Sequence, residues 1–440
     1  MAAMKQRMFG AALVAAVLFI APAAWSQATL GLAEVPADQV GMSKQKLDRI
    51  HEALTQEVEQ GKLAGTVVLV ARKGNLVYAD AVGLQDKEEG KPMALDSLFR
   101  IYSMTKPLVS VGAMMLVEEG RIELTDPVSK FLPAFKGQQV SVARTDAEFA
   151  RVTYAPVPAD REMTVQDLLR HTSGLVYCGT TNTPVKDAYT KAGFCPKSGV
   201  LSGSNERNVK PDDQIDGLAK APLAHQPGTV WEYGLSVDLL GRVIEAVSGK
   251  RLSNFLDERL LKPLKMNDTS FWVGTSKLGR VAQPLTADAA SGQPIELFDI
   301  SKEPGNDSGG AGAISTATDY LRFAQTLLNG GQLDGARVLS RPTVALMTAD
   351  HLGARIAPGM LATNNPGYTF GLGFAVRQGT GIAGVVGSAG EFTWGGYAGT
   401  YFWVDPKEEL AGVYMTQAPG PLGPYYRRLV KQLVYAAITD

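Results

Sequence analysis

The chain has little of the residues that most often indicate a cofactor. Only 2 of its 440 residues are cysteine and only 4 are histidine. The cysteines are not spaced as Cys-x-x-Cys, and His51-Glu-Ala-Leu-Thr55 lacks the second histidine of a zinc-protease motif. A glycine loop for binding phosphate is missing as well. We therefore expect neither a metal ion nor any other cofactor.

The chain also lacks a marked excess of charge of either sign and has few long apolar runs. The 43 basic and 44 acidic residues leave a net charge of −1, and no basic patch indicates a nucleic-acid partner. Beyond the N-terminus no apolar stretch reaches the roughly 20 residues of a membrane-spanning helix. With 45% hydrophobic residues, the chain is predicted to be globular, with two or three domains and no stable membrane span after processing.

The N-terminus has the pattern of a secretory signal peptide. Lys5 and Arg7 precede an apolar run from Phe9 to Pro22, and Ala24-Trp-Ser26 supplies small residues for cleavage. We predict that residues 1–26 are removed and that the mature protein is secreted or periplasmic. An uncleaved membrane anchor is the alternative, although Pro22 interrupts the apolar run.

The two cysteines, Cys178 and Cys195, both lie in the part that would be exported. In an oxidising compartment, a disulfide between them would close a loop of about 18 residues and stabilise the fold by about 3 kcal/mol. Two free buried thiols are the alternative.

Hydrophobic periodicity divides the chain into three parts. Helical spacing over residues 43–61 is followed by two strands, 65–71 and 76–82, which are joined by a polar turn. Helical patterns dominate residues 105–265. A helix and further strands follow, at 316–328, 371–376, 399–404 and 411–416.

This order predicts an α/β fold in which an antiparallel sheet flanked by helices is interrupted by an inserted, mostly helical domain. The discontinuous α/β domain comprises residues 27–102 and 285–440, and the helical domain comprises residues 103–284. We expect the active site at their interface.

The pattern Ser-x-x-Lys occurs twice, and its surroundings separate the two copies. Residues three apart share one face of a helix, so a buried lysine in its neutral form can act as base for the serine hydroxyl. Ser43-Lys-Gln-Lys46 precedes a charged amphipathic helix, and we predict that Ser43 is the N-cap. Ser103-Met-Thr-Lys106 lies among apolar residues where a strand pattern passes into a helix. Ser103 is therefore the predicted nucleophile and Lys106 its base.

Further blocks follow Ser103 in an order that is typical of one superfamily. With the Ser103 block they are Phe99-Arg-Ile-Tyr-Ser-Met-Thr-Lys-Pro107, Met163-Thr-Val-Gln-Asp-Leu-Leu-Arg-His-Thr-Ser-Gly-Leu175, Pro227-Gly-Thr-Val-Trp-Glu-Tyr-Gly-Leu-Ser236, Gly309-Gly-Ala-Gly-Ala-Ile-Ser-Thr-Ala-Thr-Asp-Tyr320 and Thr393-Trp-Gly-Gly-Tyr397. The chain resembles the serine β-lactamase and penicillin-binding superfamily, particularly class C β-lactamases and family VIII carboxylesterases. The resemblance implies a β-lactamase/transpeptidase-like fold.

The resemblance also implies roles for individual residues. Tyr233 fills the second box, whose tyrosine shares the serine proton with the lysine and passes it to the leaving group. The backbone N–H groups of Ser103 and Tyr397 would form the oxyanion hole. Gly395 and Gly396 would let the backbone approach the substrate closely.

Two departures from the lactamase pattern bear on the substrate. The Tyr-x-Asn box reads Tyr233-Gly-Leu-Ser236, in which Ser236 replaces the asparagine only in part. The Lys-Thr-Gly box reads Trp394-Gly-Gly, so the cation that recognises a substrate carboxylate is missing. We therefore predict an exported serine hydrolase that cleaves small carboxylic esters through an acyl-enzyme on Ser103.

The pattern leaves two alternatives open. One is a class C-like β-lactamase or D,D-peptidase acting on amides, and the other is a non-hydrolysing penicillin-binding sensor. An α/β-hydrolase triad is not supported, because Gly234-Leu-Ser-Val-Asp238 lacks the last glycine of a nucleophile elbow, and His171 resembles a structural helix end. The expected partner is a small-molecule ester or amide, and the oligomeric state is left undetermined.

Overall fold

The structure is a computed structural model that describes residues 32–146, 151–197, 200 and 206–440. The predicted signal peptide, residues 1–26, lies outside the described residues. Within them, no helix is both long enough and apolar enough to cross a bilayer. The helices α1 to α11 span, in order, Lys44–Glu59, Thr105–Glu118, Val165–Leu169, Pro184–Lys191, Pro211–Lys220, Ser236–Ser248, Leu252–Leu256, Ala317–Leu328, Arg341–Met347, Gly359–Asn364 and Gly423–Ala436.

The strands β1 to β14 span, in order, Gly65–Arg72, Asn75–Asp86, Lys91–Pro92, Phe99–Arg100, Gln139–Asp146, Arg151–Pro158, Ile314–Ser315, Gln332–Leu333, Ala336–Arg337, Tyr368–Phe370, Ala375–Arg377, Phe392–Gly395, Tyr401–Asp405 and Leu410–Thr416. Eight of them form one antiparallel sheet in the order β10-β11-β12-β13-β14-β1-β2-β3. β1 lies between β2 and β14, with Val68 opposite Tyr414. Strands from the two ends of the chain therefore complete one sheet, and the predicted fold class is confirmed.

Both faces of this sheet are covered, which explains the unbroken apolar run of β1. Val68 and Val70 contribute to a core with α1 and α11, whereas Val67 and Leu69 belong to a larger core that includes α8. Side chains alternate between the faces of a strand, so a strand covered on both sides is apolar at every position. All of β1 is accordingly buried.

The inserted helices pack around α2. Every residue of α2 from Thr105 to Leu116 is buried, and the helix contacts α6 and α7. The larger core runs without interruption from the sheet into these helices. The boundaries of the two predicted domains therefore stay a prediction.

Two segments differ from the expected pattern. The predicted strand over 371–376 is confined to β11, because Gly371 N–H donates to Phe374 O in a tight turn and Gly373 has a φ of +100°. Within residues 105–265, where helical patterns dominate, β5 and β6 instead form a hairpin. Val152 in this hairpin is 54% exposed, so the strand lacks the buried face on which an alternating pattern depends.

Candidate active site

The predicted nucleophile lies at a constrained passage from strand to helix. β4 leads through a 3₁₀ turn, Tyr102–Met104, into α2. Tyr102 has a φ of +43°, a left-handed conformation that L side chains rarely adopt. Its buried ring packs against Phe298 at 4.8 Å and Tyr397 at 5.5 Å between centroids. This packing holds the turn so that Ser103 is partly exposed.

Lys106 is enclosed beside this serine, with an exposed fraction of 1%. Its Nζ donates to Ser103 Oγ at 3.3 Å, to Tyr177 Oη at 3.0 Å and to Gly310 O at 2.8 Å. An ammonium group has three hydrogens, and each finds an acceptor here. In the neutral amine, two hydrogens can stay on Tyr177 and Gly310 while the lone pair faces Ser103. The structure thus brings the predicted nucleophile and base together.

Tyr177 is a site residue that sequence reasoning missed. It lies just before Cys178 and outside the motif blocks, and its ring meets that of Tyr233 edge-on at 5.4 Å. Cys178 and Cys195 are bonded to each other, so a disulfide closes the loop that begins directly after Tyr177. The sequence carries no motif for this phenol, because only the fold brings it to Lys106.

Tyr233 and Trp394 occupy another side of the lysine. Lys106 Nζ lies over the Tyr233 ring, 4.6 Å from its centroid. The Tyr233 hydroxyl accepts a hydrogen bond from Trp394 Nε1 at 3.2 Å. The rings of Trp231 and Phe370 pack against this pair. The second and third boxes are therefore joined by a hydrogen bond, and an indole occupies the place of the lactamase cation.

Gly310, the carbonyl acceptor for the lysine, is held by a buried acid. Asp238 Oδ1 accepts from Gly310 N–H at 3.0 Å and from Ser308 Oγ at 2.6 Å. A Cβ atom on Gly310 would lie 2.1 Å from Asp238 Oδ2, so only glycine fits. The sequence marks this block by its glycines, but the role of Gly310 follows from tertiary contacts alone.

The two glycines of the third box provide close packing inside the protein. A Cβ atom on Gly395 would lie 2.6 Å from Arg427 Nη1, and one on Gly396 would lie 2.3 Å from Ile101 O. These spaces are therefore taken by protein atoms, and a close approach of the backbone to the substrate at these glycines stays a prediction. The close approach at Gly396 brings the turn that carries Tyr397 beside the nucleophile.

The chain is similar to known proteins over most of its length. Residues 50–435 match the protein family described as Beta-lactamase. The chain belongs to that family. It is 33% identical to Protein Rv1367c of Mycobacterium tuberculosis, over 84% of this chain and 90% of that protein. It is 30% identical to esterase EstB of Burkholderia gladioli, over 88% and 95% of the two chains.

A solved structure of this β-lactamase-family fold is also similar over nearly its whole length. EstCE1, described as a hydrolase with promiscuous acyltransferase activity, superposes with a TM-score of 0.71 at 28% identity, covering 89% of this chain and 99% of EstCE1. With EstB and a lovastatin esterase of Penicillium rubens among its relatives, this member of the family is a serine hydrolase of esterase-like type.

Ser236 corrects one prediction about the second box. Its side chain is fully buried, and its Oγ shares a hydrogen bond of 2.9 Å with Ser173 Oγ. Ser236 lies one residue beyond the asparagine position, which Leu235 occupies, and the start of α6 turns it to a different face. It therefore supports the core and does not line the cleft.

His171 lies in the site without serving the nucleophile. It is buried with a φ of +58°, and its ring packs 4.9 Å from that of Tyr233. Neither ring nitrogen has a hydrogen-bond partner among the described residues. Burial, and then the charge of Lys106, hold the pKa of His171 well below its usual value. A neutral imidazole that packs as an aromatic wall agrees with the structural role expected from the resemblance.

Proposed function

We propose that this β-lactamase-family chain is an exported carboxylesterase with Ser103 as nucleophile. Ser103 Oγ attacks the carbonyl carbon of a small ester while its proton moves to Lys106 Nζ, and the carbonyl oxygen becomes an oxyanion. The ester C–O bond then breaks, and the leaving alcohol takes its proton through Tyr233. Water hydrolyses the acyl-enzyme and restores the serine. The observation that carries this proposal is the buried Lys106, whose Nζ is held by Tyr177 and Gly310 and reaches Ser103 Oγ.

Neutral esters are the substrates that the site favours. The indole of Trp394 replaces a cation that would bind the carboxylate of a β-lactam or a D-alanyl peptide. Tyr397, 40% exposed, adds an aromatic surface beside the nucleophile. An apolar wall binds acyl and alkyl groups by burying their surface, whereas a carboxylate would lose its hydration there without gaining a partner.

Export is part of the proposal and depends on residues 1–26. The basic start, the apolar run and the small residues before Gln27 support it. The Cys178–Cys195 disulfide fits an oxidising compartment. Cell fractionation, with mass determination of the mature N-terminus, tests it: a cytoplasmic chain that retains residues 1–26 would contradict export.

Hydrolysis of p-nitrophenyl acetate, butyrate and octanoate, beside a chromogenic cephalosporin, tests the reaction. Ester turnover is expected in the mature protein and should be lost in Ser103→Ala. Ser43→Ala, in the second Ser-x-x-Lys copy, is the matched control and should retain it. Ester turnover that survives Ser103→Ala would refute the nucleophile. Ser103-dependent cephalosporin turnover without ester turnover would indicate a lactamase, and a stable Ser103 adduct without turnover would indicate a sensor.

Transfer of the acyl group to an alcohol is a second candidate activity. It uses the same acyl-enzyme, with an alcohol replacing water as the attacking group. The description of EstCE1 as a hydrolase with promiscuous acyltransferase activity supports this possibility. Formation of butyl butyrate from p-nitrophenyl butyrate and 1-butanol, absent in Ser103→Ala, is the expected result. Release of butyrate alone would limit the chain to hydrolysis.

A further inference from the structure

Arg427 lies directly behind the third box, on α11. Its Nη2 donates to Gly396 O, and its Nε donates to Gly399 O at 3.4 Å. Its guanidinium carbon lies 5.8 Å from the centroid of the Tyr401 ring. Neighbouring residues of a strand face opposite sides of the sheet, so Trp394 faces Tyr233 while the Cβ position of Gly395 faces Arg427. The cation missing from the cleft side of the box is therefore present on the other side.

The charge of Arg427 is not neutralised by a carboxylate in the part of the chain that the structure describes. Burial lowers the pKa of Arg427, and the nearby phenols of Tyr401, Tyr414 and Tyr233 oppose this effect only in part. A half-buried cation without an acidic partner is costly in stability. Its hydrogen bonds go to backbone carbonyls of the turn between β12 and β13.

The Gly396 carbonyl and the Tyr397 N–H are two ends of one peptide group. Gly396 O accepts from Arg427 and also from Gly399 N–H at 3.1 Å. A cation that donates to the carbonyl withdraws electron density from the amide, and the N–H becomes a stronger donor. By the family resemblance, the Tyr397 N–H is one of the two donors to the oxyanion that forms on the substrate.

We propose that Arg427 is a positioning residue for ester hydrolysis, which orients and polarises the Gly396–Tyr397 peptide and so strengthens the oxyanion hole. This inference rests on the proposed function. It also gives a reason for Gly395, because a Cβ there would lie 2.6 Å from Nη1 and 2.7 Å from Cζ of the guanidinium and would displace it.

Arg427→Met tests this role, with Arg428→Met as the matched control because Arg428 is the exposed neighbour on the same helix. Losing a whole oxyanion donor lowers kcat by about 100- to 1,000-fold, so losing its polarisation should lower kcat by roughly tenfold. The KM for p-nitrophenyl butyrate should be unchanged. Arg428→Met should match the wild type, and Arg427→Lys should recover part of the loss.

Inhibitor binding separates polarisation from a general structural role. An alkyl trifluoromethyl ketone forms a tetrahedral oxyanion on the serine, whereas a substrate-shaped amide binds without one. Arg427→Met should weaken the ketone by the same factor as kcat and leave the amide unchanged. Equal weakening of both inhibitors, or an equal effect of Arg428→Met, would overturn the proposal. Thermal unfolding of each variant checks that the fold is retained.

Gly395→Ala supplies a second and independent test. In the wild type the added methyl group should displace the guanidinium and lower kcat, whereas in Arg427→Met it should have almost no further effect. Additive losses in the double variant would contradict the proposal. If the wild type shows no Ser103-dependent ester turnover, the proposed function fails. The rate at which a fluorophosphonate labels Ser103 in the same variants then still decides the role of Arg427.

Discussion

The two Ser-x-x-Lys copies of this chain have the same spacing, but their serine hydroxyls accept hydrogen bonds from different groups. At the start of α1, Ser43 Oγ accepts from the backbone N–H of Lys46 at 3.3 Å, so the hydroxyl caps a helix. At the start of α2, Ser103 Oγ instead accepts from the side chain of Lys106. The first lysine lies on a surface helix, whereas Lys106 is 1% exposed.

What separates the copies is the surroundings that the fold provides. α1 covers one side of the sheet and leaves its polar side chains to water, so Ser43 can turn to the helix backbone. α2 is buried on all sides, and Tyr102, with its positive φ, directly precedes Ser103 in the turn that leads into this helix. A lysine is useful as a base only where burial and fixed acceptors hold its amine toward the hydroxyl.

Replacing the lysine of each Ser-x-x-Lys copy by methionine should give the largest difference in activity between the two copies. Lys106→Met removes the base and is expected to lower kcat/KM for p-nitrophenyl butyrate by about 1,000-fold or more, as for other residues of a nucleophile–base unit. Lys46→Met should leave kcat/KM unchanged. Steady-state kinetics of both variants measure this, and a loss of less than tenfold in Lys106→Met would show that another group accepts the serine proton.

Removing a tyrosine hydroxyl near each Ser-x-x-Lys copy should give the next largest difference in kcat. Tyr177→Phe deletes an acceptor of the lysine ammonium, and a hydrogen bond to a charged group contributes about 1.5 to 3 kcal/mol, so kcat should fall by about 10- to 100-fold. Tyr78→Phe, which deletes a hydroxyl bonded to Asp80 beside α1, is the control and should retain activity. If both variants keep full kcat, Tyr177 does not assist Lys106.

The burial of His171 should link stability to pH. His171 has a depressed pKa in the folded state, so below about pH 6.5 the unfolded chain binds a proton that the folded chain does not. Stability should therefore be fully present above pH 6.5 and fall as the pH drops, by up to about 1.4 kcal/mol per pH unit.

Urea unfolding between pH 5 and pH 7.5 measures this slope. His171→Asn should reduce it, because asparagine tolerates the positive φ and does not titrate in this range. Ser43→Ala, which removes no titratable group, is the control and should keep the wild-type slope. A wild-type slope in His171→Asn would mean that other groups cause the pH dependence.

The smallest effect is expected from Ser43→Ala. This variant removes only an N-cap and should lower the free energy of unfolding by about 1 kcal/mol. Urea unfolding of this variant measures that loss. Unchanged stability would show that the Ser43 hydroxyl is not needed as a cap.

The sequence alone was sufficient for the elements whose cause is local. The spacing of Leu47, Ile50 and Leu54 predicts α1, and the position of Ser43 before it predicts the cap. The apolar run over residues 65–71 predicts a strand, and β1 confirms it. The contact between Ser103 and Lys106 could be predicted because residues three apart along a helix share one face.

The rest was decided by contacts between segments far apart in the chain. Tyr177 and Gly310 reach Lys106 from 71 and 204 residues away, and Arg427 reaches the third box from the last helix. The position of Ser236 after Tyr233 predicted a place in the site. The start of α6 instead turns its side chain into the core, where it contacts Ser173. Contacts between residues a few positions apart can thus be predicted from the sequence, because they depend on backbone geometry. Which distant groups surround a side chain depends on how the whole core packs, and that is set only when the sheet closes between β1 and β14.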